Sequence, residues 1–243
     1  HFINTFVSTD SRHAFVANAG ANDYWDDKGG SNPSISLGIT YRPDPKVSLT
    51  FGPSWSRAHN YAQFVSTVGD STAKSFYGTR YIMAALDQSI LGLDTRASVT
   101  FSPTMTLEVY IQPFFAAGRY HDFEEYASPR SSDVLVYGRD RGSISATRDA
   151  SGIVDHYTID PDGAGPAQSF AIDNPNFSQR SLRGNAVFRW EYRPGSVLYI
   201  AWTQSRSSDA PFGDLDFPRD KSALLATRPD NIFLVKASWW LPR

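Results

Sequence analysis

The residues in this 243-residue chain with side chains suited to chemistry near neutral pH are a few histidines and several groups of carboxylates. His13, His59, His121 and His156 are scattered. None lies in a His-x-Glu-x-x-His pattern, and no Gly-x-Ser-x-Gly elbow is present, so neither zinc hydrolysis nor acyl transfer has a signature. His121-Asp122-Phe123-Glu124-Glu125 sets an imidazole beside three carboxylates, but reads better as a solvated loop edge than as a ligand set. Asp155-His156 and Asp160-Pro161-Asp162-Gly163 offer the oxygen donors that suit calcium. Turn chemistry accounts for the Asp/Pro/Gly run more simply. With no cysteine there is no thiolate ligand and no disulfide. The expectation is a chain that is not an enzyme, with no catalytic residue, no metal site and no cofactor.

A second set of charges is ordered by alternation. Along 182–192, Leu182, Gly184, Ala186, Phe188, Trp190 and Tyr192 alternate with Arg183, Asn185, Val187, Arg189 and Glu191. In 90–101, Leu91, Leu93, Ala97, Val99 and Phe101 alternate with Asp94, Arg96, Ser98 and Thr100. A period of two places each set on one face of a strand. Asp94, Arg96, Glu108, Arg183, Arg189, Glu191 and Lys236 are therefore expected on the polar face, where they would line the lumen if the strands closed into a barrel.

The elements that carry these charges announce themselves through a repeated turn. The pattern aromatic, any residue, Pro, three residues, aliphatic occurs at Tyr41–Val47, Phe101–Leu107 and Tyr192–Leu198. A three-residue loop beginning at Pro43, Pro103 or Pro194 would pair Tyr41 with Val47, Phe101 with Leu107, and Tyr192 with Leu198. Trp190 would then face Ile200, and Phe188 would face Trp202. Strands are expected at about 2–8, 12–25, 34–42, 46–58, 61–68, 79–87, 89–102, 105–121, 178–193, 196–207 and 230–241, with one helix over 220–227 ahead of Pro229. Short connections, the Pro turns among them, alternate with longer ones at 26–33, 122–177 and 208–229. Ala58-His59-Asn60 and a tight Asp87-Gln88 bend belong to the longer side.

The net charge of −2 offers no basic surface for nucleic acid. No apolar run reaches the length of a transmembrane helix. Aromatic content is 14%. Tyr41, Phe101, Tyr192, Trp239 and Trp240 gather near the short turns, and Tyr24, Trp25, Tyr61, Tyr120 and Phe123 at the opposite ends, like the two girdles of a membrane barrel. A soluble β-sandwich has the same one-sided alternation. The girdles and the Ala- and Gly-rich apolar faces favour the all-β, antiparallel transmembrane β-barrel. About 11–12 strands are visible, with short periplasmic turns, long extracellular loops and 122–177 as the longest extracellular insertion. The odd count and the start at His1 suggest the C-terminal part of a longer protein.

Asn176 through Ser196, Trp202-Thr203-Gln204, Pro229 through Lys236, and Phe101-Ser102-Pro103 through Tyr110-Ile111-Gln112-Pro113-Phe114 together resemble the C-terminal barrel region of a family of bacterial outer-membrane proteins of uncharacterised function. That family typically carries a family-9-type carbohydrate-binding module ahead of its barrel. The resemblance implies a barrel, a cell outer-membrane address and a lipid-bilayer partner, with no established activity. The function expected is a porin-like or receptor-type channel passing or capturing a substrate, with a glycan among the candidates. One alternative is a structural anchor or partner subunit of a cell-surface assembly that docks proteins through 122–177. The other is a soluble carbohydrate-active β-sandwich.

Overall fold

The computed structural model describes residues 1–241. Its strands are β1 (Phe2–Ser8), β2 (Phe15–Tyr24), β3 (Ser34–Asp44), β4 (Val47–Gly69), β5 (Thr79–Ser102), β6 (Met105–Tyr126), β7 (Val134–Val136), β8 (Ser143–Arg148), β9 (Val154–Asp160), β10 (Phe170–Asp173), β11 (Phe177–Arg193), β12 (Ser196–Ala210) and β13 (Asp230–Ser238), with the helix α1 (Phe217–Ala226) between β12 and β13. Ten strands form one antiparallel sheet in the order β1-β2-β3-β4-β5-β6-β11-β12-β13, and β7 is added to the far end of β6. The remaining three form a separate sheet, β10-β9-β8.

The large sheet is open. β1 pairs only with β2, and β13 only with β12. A barrel closes by pairing its first strand with its last, which leaves no edge. That ladder is absent among the described residues, so the closed transmembrane barrel expected from the sequence is not formed. The lumen, the periplasmic and extracellular sides, the porin-like channel, the lipid-bilayer partner and the outer-membrane address all depended on closure, and they fall with it. No helix among the described residues is long and apolar enough to cross a membrane.

The alternation does build the strands, and a two-residue correction sets their register. Trp190 pairs with Leu198 and Phe188 with Ile200, not with Ile200 and Trp202. Val99, not Phe101, faces Leu107, and Tyr41 faces Leu49. Each turn is two residues long, with a bulge beside it: Pro45-Lys46, Pro103-Thr104 and Pro194-Gly195. Gly195 supplies the positive φ of 76° that the third turn requires. Pro43 is not in a turn but lies near the end of β3. A shift of two residues leaves every side chain on its expected face, whereas a shift of one would reverse them all. The three turns do share one end of the sheet. The Thr100 amide donates to the Lys46 carbonyl (2.8 Å), and the Glu191 amide to the Thr104 carbonyl (2.8 Å).

Two expected bends do not exist. β4 runs unbroken through Ala58-His59-Asn60, and β5 through Asp87-Gln88. They pair from Val47 opposite Val99 to Gly69 opposite Thr79, with two bulges on the way. A short 3-10 turn at Lys74–Phe76 joins them, with Tyr77 (φ 55°) and Gly78 (φ 81°) left-handed as the chain reverses.

The segment 122–177 holds the end of β6, then β7 and the three-stranded sheet. That sheet packs on the far end of β5 and β6, where Ile82, Ala84 and Phe123 meet Tyr137, Ile159 and Ile172 in the main buried cluster. The two sheets share this core in a sandwich-like arrangement. Phe123, expected in an aromatic girdle, is buried in it, and Tyr120 packs against it. Helix α1 is capped by Asp216, whose side chain accepts from the Arg219 amide. It packs on β11 and β12, with Phe217 edge-on to Phe115 at 5.4 Å. Beneath it, Arg180 Nε donates to the buried Asp220 carboxylate at 3.0 Å.

Candidate functional site

The ladders fix what the polar face of the large sheet presents. In one row across it, Thr50 faces Arg96, Arg96 faces Tyr110, Tyr110 faces Asn185 and Asn185 faces Thr203. In the next row toward the turns, Ser48 faces Ser98, Ser98 faces Glu108 and Glu108 faces Val187. Arg183 lies opposite Gln112, and Arg189 opposite Tyr199, which in turn faces Lys236. Asp94, Arg96, Glu108, Arg183, Arg189, Glu191 and Lys236 thus occupy one face, an open surface rather than a lumen.

Hydrogen bonds hold the centre of that face. Tyr110 donates its hydroxyl to Asp94 (2.7 Å), and Gln112 donates to the same carboxylate oxygen (3.2 Å). The bond to Asp94, followed by partial burial, raises the Tyr110 phenol above its ordinary value and keeps it a donor. The Arg96 guanidinium lies over the Tyr110 ring, 5.0 Å from its centroid. Asn185 donates to the Thr203 hydroxyl at 3.1 Å. Nearer the turns, Glu191 accepts from the Gly195 amide (3.0 Å) and from Arg189 (3.1 Å), and these bonds hold its carboxyl below the ordinary range. Ser48, Thr50, Arg96, Ser98, Glu108, Tyr110 and Asn185 line a trough of about 450 Å³ running across β4, β5, β6 and β11. Its lining combines hydroxyls, an amide, a carboxylate, a guanidinium and one aromatic ring, so it both donates and accepts hydrogen bonds.

At the turn end, Tyr41, Phe101, Trp239 and Trp240 are exposed, while Tyr192 donates its hydroxyl to the Ser238 carbonyl at 3.2 Å. On an open sheet they encircle nothing. Asp160 and Asp162 serve the turn between β9 and β10: Asp160 accepts from the amides of Asp162 and Gly163, and Asp162 from that of Ala167. Asp155 pairs with its neighbour His156 at 2.9 Å.

The straightened β4 and β5 also make a cluster that reading the chain linearly misses. His59 lies directly opposite Asp87, and His121 enters from β6. Nδ1 of His59 is 2.7 Å from one Asp87 carboxylate oxygen, and Nε2 of His121 is 3.2 Å from the other. Burial opposes ionisation of Asp87, but the hydrogen bond from His59 and the two imidazoles outweigh it and hold the carboxyl below its ordinary value. Residues 59 and 87 share the parity of the apolar sets Val47, Leu49, Phe51, Trp55 and Leu91, Leu93, so a polar pair there interrupts the alternation, and the ladder is what shows them facing one another.

Fold and site together define a β protein with an open, charged sheet face, braced at one end by a second sheet. Comparison with protein-family models, with curated proteins and with solved structures finds no match. The resemblance to outer-membrane barrels that carry a carbohydrate-binding module is thereby overturned: no family model supports it, and the sheet it implied to be closed is open.

Proposed function

We propose that this chain is a non-enzymatic carbohydrate-binding β domain that receives a glycan along the polar face of its large sheet. The observation that carries this reading is the trough across β4, β5, β6 and β11. Seven polar side chains from four paired strands converge there. A sugar presents closely spaced hydroxyls that both donate and accept, and Ser48, Thr50, Ser98, Glu108 and Asn185 answer both needs, with Arg96 adding donors. Because ladder hydrogen bonds fix the strands, ordering the site costs little entropy on binding. Screening the labelled chain on an array of neutral and acidic glycans tests the proposal. Retention on a defined subset is the expected result, and an array without retained signal overturns it.

A second reading rests on a different observation. β1 and β13 leave unpaired backbone edges, and both carry exposed apolar side chains: Phe2, Ile3, Phe6 and Val7 on one, Ile232, Phe233, Leu234 and Val235 on the other. Such edges are templates for strand addition. On this reading the domain works within an assembly in which another chain supplies the pairing strands. Light scattering that finds a monomer at every concentration, alone and with candidate partners, counts against it.

A further inference from the structure

We propose that His59, Asp87 and His121 form a binding site for a divalent transition-metal ion, with Asp122 as its supporting residue. Three adjacent strands deliver the donors, and two independent features hold them in place. The His59 backbone is bridged on both sides to Ser31, through bonds of 2.8 and 2.9 Å. His121 is steadied through Nδ1, which lies 3.0 Å from the Asp122 carboxylate. Asp122 itself has a left-handed backbone (φ 50°), an uncommon conformation for a non-glycine residue.

The geometry around His121 carries the argument. Both of its ring nitrogens face carboxylate oxygens, Asp122 at 3.0 Å and Asp87 at 3.2 Å. A neutral imidazole has one N–H, so it can donate to only one of them. With the proton on Nδ1 and bonded to Asp122, Nε2 aims a lone pair at an oxygen that also carries lone pairs. A cation between Nε2 and Asp87 would satisfy both groups. The third donor supports that arrangement, because His59 approaches the other Asp87 oxygen at 2.7 Å.

Two imidazoles and one carboxylate suit zinc and its first-row neighbours and leave coordination positions open. A carboxylate on the remote nitrogen of a ligating histidine is the usual second layer of such sites. The three donor atoms already lie within 4.8 Å of one another. A tetrahedral ion needs them about 3.4 Å apart, given bonds of about 2.0–2.1 Å. The imidazoles are about one-third exposed (35% and 31%), which leaves them room to rotate inward. On one side His121 and Asp122 border a cavity of about 570 Å³, also lined by Arg119, Asn176 and Asp214.

The test is calorimetric titration of the chelator-treated full chain with zinc, paired with cobalt substitution read by its visible absorption. One ion per chain is expected. His59→Ala and His121→Ala should abolish stoichiometric binding and the cobalt bands, with the far-ultraviolet dichroism unchanged. Asp122→Asn should weaken affinity by about 10- to 100-fold. If His121→Ala does not fold, His59→Gln gives the same reading from the more peripheral ligand. Nitrogen-15 imidazole resonances provide the decisive check: zinc should shift Nδ1 of His59 and Nε2 of His121. The proposal is overturned if zinc is not taken up, if uptake survives both histidine substitutions, or if the Nε2 resonance of His121 is unmoved when zinc is added.

Discussion

Arg80 and Glu125, 45 residues apart in the chain, meet in the interior with Arg80 Nη1 2.8 and 2.7 Å from the two carboxylate oxygens. Asp70 accepts from Nε of the same guanidinium at 2.6 Å, and Arg141 reaches Glu125 from the other side at 2.8 Å. The Arg80 and Glu125 side chains are buried, at 3% and 6% exposure, and Asp70 is partly buried at 10%. Burial opposes charge on Arg80, but Glu125 and Asp70 outweigh it and hold the arginine firmly protonated. The network ties the turn between β4 and β5 to β6 beside the core shared by the two sheets.

Removing this cation takes from Asp70 its ion-pair partner and leaves Glu125 with Arg141 alone. Arg80→Leu is expected to cost about 3 to 5 kcal/mol, a fall in melting temperature of about 6 to 20 °C for a chain of this size. Asp70 adds a pH dependence. Burial raises its carboxyl, but the Thr72 bonds and Arg80 outweigh this and hold it below the ordinary value. Its contribution is present above the unfolded carboxylate pKa and is lost as pH falls through the lower folded value. Thermal melts between pH 2 and 7 should show this loss in the native chain and a smaller one in Asp70→Asn.

Glu124 points the opposite way. Burial, followed by repulsion from Asp122, raises its carboxyl to about 7, and Oε1 has no hydrogen-bond partner. A raised acid binds its proton more tightly in the folded state, so stability is fully present below the unfolded value and is lost as pH rises toward 7. Glu124→Gln mimics the protonated form. It should leave stability at pH 5 nearly unchanged and raise it at pH 8, by up to about 3 kcal/mol. Chemical denaturation at the two pH values checks this, and equal effects at both would refute it.

Helix α1 separates a cap from a buried pair. Asp216→Ala loses the N-cap bond to Arg219 and should cost about 1 kcal/mol. Asp220→Asn leaves Arg180 charged and buried and should cost several-fold more, about 3 to 5 kcal/mol. Denaturation midpoints of the two variants give the comparison, and a cap variant as damaging as Asp220→Asn would contradict it.

Edge strands make a further test. Phe6→Lys on β1 and Phe233→Lys on β13 place charges on exposed edges, where they discourage strand addition. Phe6 is exposed, so its change should alter stability by less than about 0.5 kcal/mol, whereas Phe233→Lys also gives up the stack on Trp202 and should cost about 0.5 to 1.5 kcal/mol. Any concentration-dependent self-association measured by light scattering should fall in the double variant. Unchanged association would place the contact elsewhere.

What the sequence made legible was the faces. Alternation along 90–101 and 182–192 sorts Arg96 and Arg189 from Leu93 and Phe188 correctly, because a period of two survives any even error in register. The turns were misjudged by two residues, since a Pro turn of three residues and one of two residues with a bulge leave nearly the same pattern. Closure was not legible. A strand reads alike in an open sheet and a barrel, and only the pairing partners of Phe2–Ser8 and Asp230–Ser238 distinguish them. The histidine cluster was hidden by its own polarity: His59 and Asp87-Gln88 look like turn residues, whereas they lie mid-strand and face one another. Likewise 122–177 reads as a polar loop, although Tyr137, Ile159 and Ile172 within it complete the buried core.

The measurement closest to the central proposal compares glycan affinity, by calorimetry, between the native chain and the double variant Glu108→Ala/Asn185→Ala, using a ligand found on the array. Both side chains line the trough from the solvent side of fixed strands, so the variant should fold and melt like the native chain. A loss of at least about 30-fold in affinity, roughly 2 kcal/mol for two hydrogen-bonding groups, is the predicted result. Undiminished affinity in a folded double variant would show that the polar face is not the binding site.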